Sequence, residues 1–240
     1  ALGAAVFYVA AWQDIPVGNG AELTEDLLPI TDQMPNVHVG RMYENYTDIR
    51  WRPGSMPEHK ATILDSLSSG YGLAIHVGHG YRNIMEVGDG SLTNADALGL
   101  TNGNKLFNLY AIDCTSNAID FPCIGEAFIL NPQGGAVTNI GSTRFDFPAA
   151  GRAYQVEYFR LFVEDSVTPL GEPEPRQKLP YTSYSTYRRV NRRTHITLLM
   201  LADPPLHSSL DRRATPPATA PSPAPSPDSP CPRPAPRDGR

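Results

Sequence analysis

The sequence predicts an α/β layered sandwich with a largely parallel central sheet flanked by helices. Two apolar runs, residues 73–78 and 106–113, are short, rich in β-forming residues and followed by turn residues, which is typical of buried strands. A third such run covers residues 136–140. Helical patterns separate these runs, and strands that alternate with helices build a parallel sheet with helices on its faces.

The remaining elements follow from hydrophobic periodicity and turn residues. We predict, in chain order, a strand at 6–10, a helix at 21–31, a strand at 37–43, a polar loop at 44–57, a helix at 58–68, a loop-rich stretch at 81–103 with one or two helical turns at 94–98, a helix at 124–130, a helix at 149–163 and a last strand at 196–201. In the helix at 58–68, Ala61, Leu64 and Leu67 are spaced to face the sheet.

Length and composition predict one domain followed by a tail. The chain has 240 residues and 40% apolar content, which is ample for a hydrophobic core. Residues 204–240 contain 12 of the 24 prolines and are expected to be an extended linker or a disordered tail. The chain begins at Ala1 without an initiator Met or a complete signal peptide, and we expect this start to be a cut inside a longer precursor.

The charge is unevenly distributed along the chain. Residues 1–175 carry 9 Lys and Arg against 21 Asp and Glu, whereas residues 176–240 carry 11 against 4. An acidic body argues against nucleic acid as a partner and fits cationic substrates or calcium, although an ordinary solvated acidic surface has the same composition. We expect no membrane span and no cofactor. A structural calcium ion is compatible with the acidic composition.

His79 and Cys114 are the candidate catalytic residues, because each directly follows one of the two apolar strands. A thiol attacks an acyl carbon as the thiolate, and a nearby imidazole both accepts its proton and protonates the leaving amine. Gly80 lets its backbone N–H approach a substrate carbonyl, so that with the Cys114 N–H it forms an oxyanion hole worth about 3 kcal/mol per donor. Val77 and Ile112 share strand faces with His79 and Cys114 and are predicted pocket walls.

Other interpretations of these residues are open at this point. A single Cys at a strand end is commonly a core residue, and a single His beside Gly is commonly part of a turn. A metal site at His76 and His79 is disfavoured, because residues three apart on a strand point to opposite faces. The glycines at 134–135 and 141 lack the spacing of a phosphate loop, which disfavours an α/β nucleotide-binding protein.

The motifs around these strands resemble a known family. A strand into His-Gly, followed some thirty-five residues later by a strand into Cys, resembles the clan of caspases, legumains and gingipains. The stretches at 70–80, 114–116, 125–128 and 134–143 are similar to the gingipain-type cysteine peptidases, and residues 199–206 resemble the strand that closes their catalytic domain. The resemblance covers about residues 6–206.

The resemblance implies a caspase-like fold and an endopeptidase with His79 as general base and Cys114 as nucleophile. It implies a catalytic domain over residues 1–206 that is incomplete at its N-terminus, followed by the proline-rich tail at 207–240. It also implies protein or peptide substrates and a bacterial protein that is secreted or held at the cell surface. We expect a monomer.

Two departures from the family pattern concern activity and packing. Asp113 replaces the usual small residue before the nucleophile; strand alternation directs its carboxylate away from Cys114, but an inward carboxylate would raise the thiol pKa. Ala202 replaces a usual Gly. A catalytically inactive member acting as a binding or adhesive module is therefore the leading alternative.

Substrate preference is predicted from residues near the expected cleft. Arginine-specific gingipains bind the substrate cation through an acidic residue after the first strand, and Glu22 is our candidate here. Phe145 and Phe147 lie where the family builds a pocket wall, and Arg144 beside them would favour acidic substrates. If the enzyme cuts after basic residues, the paired arginines at 188–189 and 192–193 are expected self-processing sites in a loop.

Overall fold

A seven-stranded sheet forms the centre of the molecule, which a computed structural model describes over residues 4–10, 20–34, 37–163 and 173–201. The strands are β1 (Ala4–Ala10), β2 (Val37–Tyr43), β3 (Ser55–Pro57), β4 (Leu73–Val77), β5 (Gly80–Tyr81), β6 (Ile84–Val87), β7 (Gly90–Thr93), β8 (Phe107–Ile112), β9 (Ala136–Ser142) and β10 (Leu198–Leu201). The order across the large sheet is β10-β9-β8-β4-β1-β2-β3. Its pairs are parallel except for β10, which runs antiparallel to β9 at one edge.

Helices cover both faces of this sheet. They are α1 (Gly20–Glu25), α2 (Leu28–Thr31), α3 (Lys60–Ser69), α4 (Asn94–Leu98), α5 (Ile124–Ile129), α6 (Pro148–Val163), α7 (Pro173–Arg176), α8 (Thr182–Tyr187) and α9 (Arg189–Thr197), with 3-10 turns at Ile49–Trp51 and Leu179–Tyr181. The predicted three-layer α/β sandwich with a largely parallel sheet is confirmed. Within the described ranges, no helix is both long and apolar enough to cross a membrane.

Two hydrophobic clusters fill the space between the layers. On one face, Tyr154 and Phe159 of α6 pack with Ile75 and Tyr110 of the central strands. On the other face, residues of α3, α5 and the β6–β7 hairpin pack with Ala74, Leu109 and Ala111. Every residue of β4 and β8 is buried, which explains why both strands are mostly apolar, apart from His76 and Asn108, rather than alternating between apolar and polar residues.

The structure corrects several predicted elements in the first half of the chain. The predicted polar loop at 44–57 contains β3, a three-residue strand that pairs with β2 at the sheet edge. The loop-rich stretch at 81–103 contains β6 and β7, which with β5 form an antiparallel sheet whose strands have only two to four residues. In α3, Ile63 and Leu67 are buried and Leu64 is partly buried, whereas Ala61 is exposed and does not face the sheet.

The segment before the last strand also differs from its prediction. The sequence predicts a loop around the paired arginines at 188–189 and 192–193 and a strand at 196–201, but the chain forms α7, α8 and α9 up to Thr197, and β10 begins at Leu198. The arginines predicted as self-processing sites therefore lie at the start of α9 and within it, where a peptide bond is held in helical geometry. The predicted tail at 207–240, together with Ala202 and Cys231, lies outside the described residues.

Candidate active site

The segments carrying His79 and Cys114 lie side by side at the carboxyl edge of the sheet. Strands β4 and β8 pair in parallel, with Val77 opposite Ile112, and the Gly78 N–H donates to the Ile112 carbonyl at 3.1 Å. The chain continues from the end of β4 into His79 and from the end of β8 into Cys114. Open parallel sheets bind ligands at this edge, where successive strands deliver side chains to one crevice.

Gly80 packs directly against the backbone of the Cys114 segment. A Cβ atom at position 80 would lie 2.9 Å from the Cys114 carbonyl oxygen and 3.0 Å from the Asp113 Cβ. The His79 carbonyl accepts a hydrogen bond from the Glu86 N–H at 2.9 Å, which ties this segment to the β6–β7 hairpin. The absence of a side chain at position 80 therefore permits the close approach of the two segments.

The two candidate catalytic side chains differ in exposure. His79 is exposed and Cys114 is partly buried. Burial raises the pKa of the Cys114 thiol, and the negative charge of Asp113 raises it further. A main-chain hydrogen bond with Asp146 and the positive charge of Arg193 act in the opposite direction. The fraction of Cys114 that is present as thiolate is therefore set by these opposing effects of burial, Asp113, Asp146 and Arg193.

Asp113 is buried with its carboxylate turned toward His76. The His76 Nδ1 lies 3.4 Å from the Asp113 Oδ2, which is an ion-pair distance although the two groups are not aligned as a hydrogen bond. The Ser116 hydroxyl donates to the other carboxylate oxygen, and the His76 Nε2 contacts the Glu86 carbonyl at 2.9 Å. The carboxylate therefore has polar partners of its own, although its charge still raises the pKa of Cys114.

Two residues beside Cys114 escaped prediction from the sequence. Thr115 adopts φ 59°, a left-handed backbone conformation that is uncommon for a non-glycine residue and concentrates at functional sites. Its N–H donates to the Arg144 carbonyl at 2.9 Å, which joins the Cys114 turn to the loop after β9. Asp146 lies in that loop, and the Cys114 thiol lies 3.8 Å from its carbonyl oxygen as a donor.

A signal for Asp146 exists in the sequence but is weak. The loop after β9 is delivered to the same sheet edge as His79 and Cys114, so each polar residue that follows this strand is a candidate neighbour of the site. Thr115 has no comparable signal, because its backbone conformation depends on the contact with Arg144.

Val77 and Ile112 do not line an open cleft. They are 0% and 1% exposed and belong to the hydrophobic cluster that includes Tyr110 and Tyr154. Their predicted role as pocket walls is corrected accordingly: their side chains support the strand ends from within the core. The physical reason is that α6 covers this face of the sheet up to the strand ends.

The residues predicted to determine specificity have partners in the structure. Glu22 of α1 forms an ion pair with Arg50, and Arg144 forms a two-pronged ion pair with Asp120 at 3.0 and 3.2 Å. The Arg193 guanidinium lies 5.3 Å from the ring centre of Phe145, which is 55% exposed. Arg144 could bind an acidic substrate only if its ion pair with Asp120 were broken. The role of Glu22 in substrate binding stays a prediction.

Phe147 is partly buried, and its N–H donates to the Asp146 carboxylate at 2.7 Å. The loop that carries both phenylalanines is joined to the Cys114 turn through Thr115. Their predicted role as walls of the substrate pocket is not tested by these contacts and stays a prediction.

An acid-lined cavity lies near the ends of β2 and β3. It has a volume of about 100 Å³ and is lined by Glu44, Glu58 and Asp89 together with Tyr46, Pro57, His59 and Gly88. Glu58 is 3% exposed, and within the described ranges neither of its carboxylate oxygens has an aligned hydrogen bond. Among the described residues, however, no group of three or more His, Cys, Asp or Glu side chains is placed to hold a metal ion.

Comparison with solved structures identifies the fold. The crystal structure of the Arg-specific cysteine proteinase gingipain R (RgpB) matches with a TM-score of 0.65 and 19% identity, over 86% of this chain and 48% of that one. The complex of Porphyromonas gingivalis RgpB pro- and mature domains matches with a TM-score of 0.64 at the same identity and coverage. A structure described as a protease matches with a TM-score of 0.62 and 15% identity, over 85% of this chain and 48% of that one.

Comparison of sequences identifies the family. The chain spans about half the length of the solved structures that it matches, and no curated protein sequence matches it. The model of Peptidase family C25 matches residues 7–208, which include both strands of the candidate site. The chain therefore belongs to Peptidase family C25, the gingipain family of cysteine peptidases.

Proposed function

We propose that the protein is a cysteine endopeptidase in which Cys114 is the nucleophile and His79 the general base. The observation that carries this proposal is the delivery of both residues to one sheet edge by the adjacent parallel strands β4 and β8. Membership of a cysteine peptidase family supports the reaction class. The proposed substrates are proteins or peptides.

The proposed reaction proceeds in two steps. His79 accepts the thiol proton while the Cys114 sulfur bonds to the scissile carbonyl carbon, and the resulting oxyanion accepts hydrogen bonds from the Gly80 and Cys114 N–H groups. The carbon–nitrogen bond then breaks, and His79 gives its proton to the leaving amine. Water, deprotonated by His79, hydrolyses the thioester and releases the second product.

A peptide library with varied residues on both sides of the cleaved bond tests this function. Arg and Lys positions have priority, because gingipain R, a structural match, is Arg-specific. We expect cleavage by the wild-type protein and a loss of at least about 10³-fold in Cys114→Ala and His79→Ala. Equal cleavage by the wild type and Cys114→Ala would refute the proposal.

An inactive binding module is the second candidate function, and the raised pKa of Cys114 favours it. Alkylation by iodoacetamide separates the two candidates. An active pair makes Cys114 react much faster than Cys231, and His79→Ala abolishes the difference. Slow and equal labelling of both cysteines would support the inactive module.

We further assign the peptidase domain to residues 1–206 and a proline-rich tail to residues 207–240, which the family match over residues 7–208 supports. A secreted or surface-held bacterial enzyme is proposed by analogy with the gingipain family. Detection of the protein in the culture medium or the surface fraction, rather than the lysate, tests this location.

A further inference from the structure

Asp146 contacts the sulfur of Cys114 through its main chain and carries a buried carboxyl group beside it. The residue lies in the loop between β9 and α6 and is 7% exposed. We propose that Asp146 is a positioning residue for Cys114: its main chain holds the sulfur, and ionisation of its side chain opposes formation of the thiolate. This inference rests on the proposed function only in taking Cys114 as the nucleophile.

The main chain of Asp146 contacts the sulfur of Cys114. The thiol S–H lies as a donor 3.8 Å from the Asp146 carbonyl oxygen. A main-chain hydrogen bond with Asp146 also lowers the pKa of Cys114, in opposition to the effect of burial. The loop between β9 and α6 therefore influences both the position and the ionisation of the sulfur.

The carboxyl group occupies a site that satisfies one of its oxygens. Oδ1 accepts hydrogen bonds from the Phe147 N–H at 2.7 Å and from the Thr194 hydroxyl at 3.2 Å. Oδ2 is buried, and no group in the described part of the chain forms a hydrogen bond with it. A Cβ at Gly151 of α6 would lie 3.0 Å from Oδ2, so the glycine leaves the space that this oxygen fills. A carboxylate in such a site is disfavoured relative to the neutral acid, because half of it is desolvated without compensation.

The groups facing this carboxyl add to that preference. Asp113 acts on it from the end of β8, and Tyr110 of β8 and Tyr154 of α6 lie within electrostatic reach. Burial raises the pKa of Asp146 to about 7, and the charge of Asp113 contributes to the rise. Arg193 of α9 is the positive charge that acts on Cys114 itself.

The protonation state of Asp146 therefore changes within the pH range in which a thiol ionises. Below about pH 7 the carboxyl group is neutral and adds no charge beside the sulfur. Above that pH its negative charge raises the pKa of Cys114. The reactivity of Cys114 should consequently rise less steeply with pH than that of a simple thiol.

The test compares the pH dependence of alkylation in the wild type and in Asp146→Asn. Iodoacetamide rates at Cys114 are measured from pH 5.5 to 9.5 by mass spectrometry of its peptide. The asparagine keeps the acceptor for Thr194 but carries no charge, so the midpoint of the profile should fall by about one pH unit, with up to roughly tenfold faster labelling near pH 8. Superimposable profiles would overturn the inference.

Two further variants separate the charge effect from disturbance of the fold. Asp65→Asn removes an exposed carboxylate from α3 on the other side of the sheet, and its profile should match the wild type. Thr194→Val removes a donor that stabilises the Asp146 carboxylate, so its midpoint should move in the same direction as that of Asp146→Asn but less. Thr194→Val should shift the midpoint in the wild type but not in Asp146→Asn, which has no carboxylate to stabilise. An equal shift by Thr194→Val in both backgrounds would contradict an effect of Thr194 through the Asp146 charge.

Alkylation also distinguishes failure of this inference from failure of the proposed function. A shifted profile in Asp146→Asn without any peptide cleavage by the wild type refutes the peptidase function and supports the inference. Peptide cleavage with unshifted alkylation refutes the inference alone.

Discussion

Replacement of Gly80 by alanine places a methyl group against the backbone that carries Cys114. The new Cβ would lie 2.9 Å from the Cys114 carbonyl oxygen and 3.0 Å from two side-chain carbons of Asp113. The Gly80 segment cannot retreat easily, because the Gly78 N–H bonds to Ile112 on one side and the His79 carbonyl bonds to Glu86 on the other. We therefore expect a displacement of a few tenths of an ångström at the Gly80 N–H.

The expected effect follows from the loss of one oxyanion donor and from overpacking. A lost donor costs about 3 kcal/mol of transition-state stabilisation, so kcat should fall by roughly 10² to 10³ while KM changes little. Overpacking should lower the free energy of unfolding by about 1–3 kcal/mol. The assay is kcat and KM on the best peptide from the library, with urea unfolding of the same preparations.

Gly90→Ala is the matched control, since a Cβ at that glycine of β7 meets no atom of the described residues within 4 Å. We expect its kcat to stay within about twofold of the wild type. A folded Gly80→Ala protein with wild-type kcat would refute the oxyanion role of the Gly80 N–H.

Two further predictions concern buried carboxyl groups. Burial, and next the charge of Glu44, raise the pKa of Glu58 to about 9. Between about pH 4.5 and 9 the folded state therefore holds a proton that the unfolded state has lost, and the free energy of unfolding falls as pH rises. Glu58→Gln should thus match the wild type in urea unfolding at pH 4.5 and be more stable by up to about 4 kcal/mol at pH 7.5. A variant less stable than the wild type at about pH 7.5 would show that interactions within the folded protein stabilise the charged Glu58 carboxylate. Asp113→Ala leaves the Ser116 hydroxyl and the His76 ring without their partner and should lower the unfolding free energy by about 3 kcal/mol. Asp113→Asn keeps an acceptor and should lose less, and equal stability of Asp113→Ala and the wild type would contradict the importance of this contact.

The strands of the central sheet could be predicted because their signal is local. Strands β4 and β8 are buried on both faces, which requires continuous apolar sequence, and their lengths and turn residues distinguish them from helices. The placement of His79 and Cys114 at one sheet edge follows from that prediction, since parallel neighbours deliver their following residues to the same side.

The elements that could not be predicted depend on partners distant in the sequence. Strand β3 has three residues and exists through its pairing with β2. The strands of the β5–β7 sheet have two to four residues, too few for a clear period in the sequence, and they depend on cross-strand pairing and on packing against distant core residues. Helix α9 is not predicted, because its arginines obscure the helical pattern, although Thr194 and Thr197 are buried along it.

The sequence by itself determined the class of fold, the principal strands in their order along the chain and the candidate pair at the ends of two of them. The tertiary structure alone decided what surrounds the sulfur: Asp113 turned to His76, Val77 and Ile112 enclosed in the core, and Asp146 brought beside Cys114 from a loop 32 residues away. The physical reason is that strand formation depends on neighbouring residues along the chain, whereas the charge and solvation of a thiol depend on whichever groups folding packs against it.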